Sequence, residues 1–179
     1  MSLELSRRSF MKLSALSAVA VAGSALLSGC DDSSSTLYPS GAFGKKLSLM
    51  GEFTLSDPAF SNGTLTCNFT AKCTSSTPLA IRAKFFQVEV YNPTTKKTRV
   101  YNAESDGCSL TLGTSNYYLT KGSTWATTFT VTGMTLAEGE TLSVMYFPRL
   151  ESSSNGNGQA YTDLHATWKG TYKSGKFTN

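Results

Sequence analysis

The sequence predicts an all-β fold, a seven-stranded antiparallel sandwich that follows an N-terminal signal peptide. Three observations predict it. From Lys45 onward apolar and polar residues alternate with period two, the mark of strands buried on one face. Turn signals rich in Pro, Gly, Asn and Asp separate the alternating runs, with no helical period between them. Ahead of Cys30, a basic segment precedes a short apolar stretch and small residues, the order of an exported leader.

In the leader, Arg7, Arg8 and Lys12 outweigh Glu4. Residues 13–27 are apolar but diluted by Ser14, Ser17, Gly23 and Ser24, and fall short of the ~20 residues that a permanent span needs. Ser6-Arg7-Arg8-Ser9-Phe10-Met11-Lys12 resembles the twin-arginine export signal, Ser/Thr-Arg-Arg-x-Phe-Leu-Lys, departing from it at Met11. Leu27-Ser28-Gly29-Cys30 resembles the lipobox of bacterial lipoproteins. The two resemblances imply a chain that folds before export, loses residues 1–29, and is held by acyl chains on Cys30 at the extracytoplasmic face of the cell membrane. Each buried methylene contributes about 0.8 kcal/mol, so two or more long chains hold firmly. In families with an outer membrane, aspartate after the acylated cysteine keeps a lipoprotein in the inner membrane, and Asp31 and Asp32 stand there. The polar, aperiodic stretch that follows makes 30–44 a flexible stalk, with 45–179 as the folded domain.

The strands then follow in order. Leu47, Leu49, Phe53 and Leu55 share one parity, broken at Gly51; a turn is expected at Ser56-Asp57-Pro58 and another at Asn62-Gly63. Leu65, Cys67, Phe69, Ala71 and Cys73 form the next inward row, and Phe86, Val88 and Val90 the third. A turn at Asn92-Pro93 leads to a short strand over 99–103 and a polar connection through Asp106-Gly107. Trp125, Thr127, Phe129 and Val131 point inward; 141–147 is apolar on both faces, as a central strand would be; Leu164, Ala166 and Trp168 complete the set. Each sheet leaves one apolar face that only another layer covers, hence a sandwich.

Residues 69–148 resemble the immunoglobulin-like, telokin-like domains of bacterial surface lipoproteins. The resemblance rests on Thr77-Pro78-Leu79, Leu119-Thr120-Lys121-Gly122 and the aromatic-rich run from Trp125 to Val131. It implies an immunoglobulin-like sandwich without the buried Trp and intersheet cysteine pair of antibody domains.

Composition and cysteines bound the chemistry. The chain has 16 basic and 12 acidic residues; with the leader removed, 13 face 11, a net of +2, too even and too scattered for a nucleic-acid footprint. With Cys30 acylated, Cys67, Cys73 and Cys108 remain. Cys67 and Cys73 lie six residues apart on one strand face, about 20 Å at ~3.3 Å per residue, beyond the reach of a disulfide or of a shared metal ion. Any bridge joins Cys108 to one of them, with Cys73, at its strand's end, favoured; three unpaired thiols packed as small hydrophobes are the open alternative. His165, the single histidine, falls on the polar face of the last strand, and no Gly-x-Ser-x-Gly elbow accompanies it.

No cofactor site is expected. The expectation is therefore a non-enzymatic binding or scaffold module, tethered to the membrane and meeting an envelope protein or a glycan. Asn155, Gly156, Asn157 and Gly158, in the loop 151–159, are the candidate binding residues. A carbohydrate-binding module is the alternative, resting on Tyr91, Tyr101, Tyr117, Tyr118 and Trp125.

Overall fold

Two antiparallel layers meet across a continuous aromatic seam. The computed structural model describes residues 37–114, 117–151 and 164–178. Arg7, Arg8, Phe10, Lys12 and Cys30, and the loop residues Asn155, Gly156, Asn157 and Gly158, lie outside the described residues.

In chain order the strands are β1 (Ser40–Ala42), β2 (Lys46–Ser48), β3 (Gly51–Ser61), β4 (Thr64–Cys73), β5 (Leu79–Ile81), β6 (Phe86–Asn92), β7 (Lys97–Tyr101), β8 (Ser109–Leu112), β9 (Tyr117–Leu119), β10 (Thr124–Thr132), β11 (Thr141–Tyr146), β12 (Arg149–Leu150), β13 (Ala166–Lys173) and β14 (Lys176–Thr178). One layer has the order β1-β13-β11-β6-β7 with β14 on β13; the other runs β2-β3-β4-β10-β8. A small third sheet, β12-β5-β9, closes one end, and a single turn of 3-10 helix, Ala83–Phe85, joins it to β6. All pairings are antiparallel except β1 on β13.

The all-β reading holds, but among the described residues fourteen strands stand where seven are expected. The alternating run at 47–55 is a hairpin: Leu47 pairs with Phe53 and Ser48 with Glu52, the chain reversing at Leu49 and Met50, whose φ is 56°. Odd residues pair with odd ones across that reversal, so the alternation continues through it unbroken. Conversely, Ser56-Asp57-Pro58 is no turn. β3 runs on through it with one extra residue between Ser56 and Ala59, a bulge that accommodates a proline lacking its N–H. Asn62 and Gly63, with φ of 48° and 73°, make the expected two-residue hairpin turn, whose positive φ values match the twist of the flanking strands. The short strands β5, β8, β9, β12 and β14 carry too few residues to show a period. Residues 40–44, expected in the stalk, form β1 and the turn after it.

The core is where the parity places it. Phe53, Phe69 and Phe129 of one layer face Phe86, Tyr146 and Trp168 of the other, all buried. Phe86 stacks on Phe129 at 4.6 Å, Phe69 meets Phe86 edge-on at 5.0 Å, and Phe53 meets Tyr146 at 4.9 Å. The Tyr146 hydroxyl donates to the Ala80 carbonyl at 3.2 Å and the Trp168 Nε1–H to the Lys45 carbonyl at 2.9 Å, so both polar handles are satisfied inside. β11 lies between β6 and β13, the central position expected of it.

The favoured Cys73–Cys108 bridge is absent, and Cys67, Cys73 and Cys108 are free thiols. Cys73 ends β4 beside Ser123, its thiol turned to the Ser75 carbonyl at 3.5 Å. Cys108 sits at the other end of the same sheet, against Gly133. The nine residues of β10 lie between them, about 30 Å at ~3.3 Å per residue. Burial, aided by Asp57, pushes the Cys67 thiol up to about 12. An alkylating reagent should therefore label the native protein at Cys108 alone, with Cys67 and Cys73 reacting only after denaturation, as read by peptide mass mapping; a native protein unreactive at Cys108 would contradict this.

Candidate functional site

The third sheet carries a charged cluster at the end of the sandwich. β5 is wholly apolar, Leu79, Ala80 and Ile81 being fully buried, and the chain leaves it through Arg82. β12 pairs with it through Arg149 and Ala80 and delivers Glu151, whose side chain is fully enclosed. Tyr118 comes from β9 on the other side, opposite Ala80. Glu151 Oε2 accepts from Arg82 Nη2 at 2.8 Å and from the Tyr118 hydroxyl at 2.6 Å, while Arg149 Nε lies 3.4 Å from Oε1. The bond to Glu151 holds the Tyr118 proton and raises its pKa above the ordinary tyrosine value.

Aromatic faces complete the cluster. Arg82 and Arg149 each stand over the Phe85 ring at 5.7 Å, and the Lys84 ammonium lies 5.8 Å from it. One carboxylate thus serves two guanidiniums, with a third cation beside them, leaving an excess of positive charge. Arg82 Nε, Arg149 Nε and Glu151 Oε1 have no hydrogen-bond partner among the described residues. The arrangement neutralises an internal carboxylate and leaves Lys84 exposed beside it.

A second carboxylate cluster closes the opposite end. Glu140, 2 % exposed, accepts from Arg99 Nη1 at 2.9 Å and Nη2 at 2.6 Å, from Asn92 Nδ2 at 2.9 Å and from the Ala137 N–H at 2.8 Å. Those donors, Arg99 foremost, pull its pKa down to about 2. With four donors saturating it, Glu140 acts as a structural tie between the β6–β7 hairpin and the turn before β11.

The aromatic residues expected to stack on sugars do not converge. Tyr91 is exposed on β6, Tyr101 on β7 bonds the Thr135 loop through its hydroxyl, Tyr118 is engaged by Glu151, and Trp125 is half-buried on β10 in the other layer. Tyr117 pairs with Ile81 through its backbone. His165 precedes β13 and packs its ring between Tyr38 and Phe147, at 5.1 and 5.2 Å. Among the described residues no group of three or more His, Cys, Asp or Glu side chains is arranged to hold a metal ion.

Sequence reasoning missed Glu151, read as the first residue of a polar loop, and missed the role of Arg82 and Arg149. One signal was present: Arg82 directly follows the apolar run Leu79-Ala80-Ile81, which is too short to bury a charge alone.

No protein-family model matches the chain, and no curated protein matches it. Among solved structures, the yjhA protein from Bacillus subtilis is similar at 12% identity over 73% of this chain and 98% of that one, with a TM-score of 0.48. The candidate lipoprotein ycdA, also from Bacillus subtilis, is similar at 16% identity, with a TM-score of 0.42, over 73% of this chain and 39% of that one. MtrC from Shewanella baltica OS185 is similar at 11% identity, with a TM-score of 0.33, over 72% of this chain and 23% of that one. This chain therefore spans well under half the length of the latter two.

Two predictions follow from the clusters. Because its folded pKa lies below the ordinary value of 4.5, Glu140 stabilises the fold above about pH 4.5 and ceases to do so as pH falls through about 2. Glu140→Gln should be less stable at neutral pH by roughly 2 kcal/mol, allowing for the part-exposed Arg99. The gap to wild type should narrow on acidification across that window in urea titrations. Glu151→Ala, which leaves two part-buried guanidiniums without their carboxylate, should cost about 3 kcal/mol, whereas exposed Lys84→Ala should stay within about 0.5 kcal/mol, both read by thermal unfolding.

Proposed function

We propose that this chain is a lipid-anchored, extracytoplasmic binding or scaffold module: a twin-arginine-exported lipoprotein whose immunoglobulin-like sandwich stands on the outer face of the cell membrane. The observation that carries the reading is the signal itself. Arg7-Arg8-Ser9-Phe10-Met11-Lys12, the apolar stretch and Leu27-Ser28-Gly29-Cys30 stand in order, and an all-strand body begins within ten residues of Cys30. The body suits the route, since twin-arginine export carries folded cargo, and its buried core runs from Leu47 to Trp168 with Phe43 and Phe177 packed against it. No helix among the described residues is long and apolar enough to cross a membrane.

In this reading the acyl chains fix location and the domain meets an envelope protein or a glycan. Cells fed radiolabelled palmitate should yield labelled protein from the wild type and none from Cys30→Ala. Arg7→Lys with Arg8→Lys should leave unprocessed precursor in the cytoplasm. An unlabelled wild-type protein that keeps residues 1–29 would overturn the reading.

A further inference from the structure

The two ends of the sandwich differ, and strand register says which end faces the anchor. β1 runs parallel to β13, Ser40 beside Thr167, so Pro39 leaves the body where β13 begins. Ala166 there pairs with Tyr146, and Tyr146 with Phe86, which puts the start of β6, the end of β11 and the exit of the tether at one level. The third sheet lies at that level, since the Tyr146 hydroxyl bonds Ala80 and the Phe147 N–H bonds the Phe85 carbonyl at 2.9 Å. The other layer is fixed in the same sense: Phe53 of the Cys73 end meets Tyr146, whereas Phe60 at the far end meets Tyr172 at 5.8 Å.

At the tether end, therefore, stand Arg82, Lys84 and Arg149, together with Lys121 in the turn whose Gly122 N–H bonds Cys73. Lys84 and Lys121 are exposed. Among the described residues the acidic groups at this end are engaged: Glu151 is enclosed by the arginines, and Glu52 is bridged by Lys46 and Lys72 at 3.3 and 3.8 Å. Leu37 and Tyr38, 54% and 49% exposed, add an apolar and an aromatic side chain where the tether emerges. At the far end Lys96, Lys97, Lys173 and Lys176 share the rim with Asp106, Glu138 and Glu140.

We propose that the tether-exit end, through Arg82, Lys84, Lys121, Arg149 and Tyr38, docks on the anionic phospholipid headgroups of the bilayer that anchors Cys30. The inference rests on the lipid-anchor reading and adds an orientation to it. Nine residues from Cys30 to Pro39 reach at most about 30 Å when fully extended, so Pro39 stays within that distance of the headgroups. Tethering supplies the high local concentration; each basic side chain at an anionic surface shifts the docking equilibrium about fivefold, an effect that salt screens. Asp31 and Asp32 oppose docking but belong to the tether rather than to the docking face. With this end down, the far end, with the β3–β4 and β6–β7 turns, is presented outward.

The test uses the acylated protein on phosphatidylcholine vesicles with or without phosphatidylglycerol. A nitroxide is placed at Thr120→Cys, on the docking end, or at Thr95→Cys, on the far end, each in a Cys108→Ser background. Collision with a lipid-soluble relaxation agent is read by electron paramagnetic resonance. With phosphatidylglycerol present, the Thr120 probe should respond severalfold more than the Thr95 probe. That preference should vanish in molar salt and be lost in Lys84→Glu with Lys121→Glu, whose two charge reversals weaken docking at least about tenfold. Protein that floats with the vesicles but shows equal response at both probes, or a preference indifferent to phosphatidylglycerol and salt, overturns the docking proposal alone. Protein that does not float with the vesicles overturns the anchor and the docking together.

Discussion

The face-to-face contact of Phe53, Phe69 and Phe129 with Phe86, Tyr146 and Trp168 is the constraint on which the rest of the molecule depends. Large rings from alternate positions fill the space between two twisted sheets, and each ring contributes apolar area as well as edge-to-face attraction. Because the seam uses one residue in two along each strand, it fixes register: a slip of one residue in β4 or β11 would send Phe69 or Tyr146 to solvent. Everything polar at the ends is hung from strands whose register the seam has set.

The two buried carboxylates illustrate this. A sandwich closed along its faces remains open at its ends, where connections cross between layers. Glu140 ties one end through Arg99, Asn92 and the Ala137 N–H, and Glu151 ties the other through Arg82 and Tyr118. The difference between them has functional weight. Glu140 is saturated by its donors and leaves no excess charge, whereas Glu151 is outnumbered by the guanidiniums around it. Positive charge beyond what the carboxylate neutralises therefore remains at the end where β1 begins.

Much of the body was legible because burial on one face imposes parity, and parity is local. Phe53, Leu65, Phe69, Val88, Phe129 and Trp168 are all inward as the alternation requires. Parity was blind in two ways. The reversal at Leu49 and Met50 joins residues of equal parity and so looks like continuation, and the bulge at Asp57 looks like a turn because Pro is a punctuation mark in both settings. The charged cluster was illegible because Arg82, Tyr118 and Glu151 are up to 69 residues apart and meet only through β5 pairing with both β9 and β12. Strands of two or three residues carry no period to read.

The sequence by itself determined the class of fold, the inward set of side chains and, through the ordered signals before Cys30, the expected address. These follow from short-range pattern: alternation along a strand and the linear order of charge, apolar run and cysteine. Tertiary structure alone decided which strands lie side by side, that Cys73 and Cys108 stand at opposite ends of one sheet, and that a buried carboxylate gathers two arginines at the end where β1 begins. Those depend on long-range pairing, in which many partners satisfy the same alternation and only the packing of the aromatic seam selects among them.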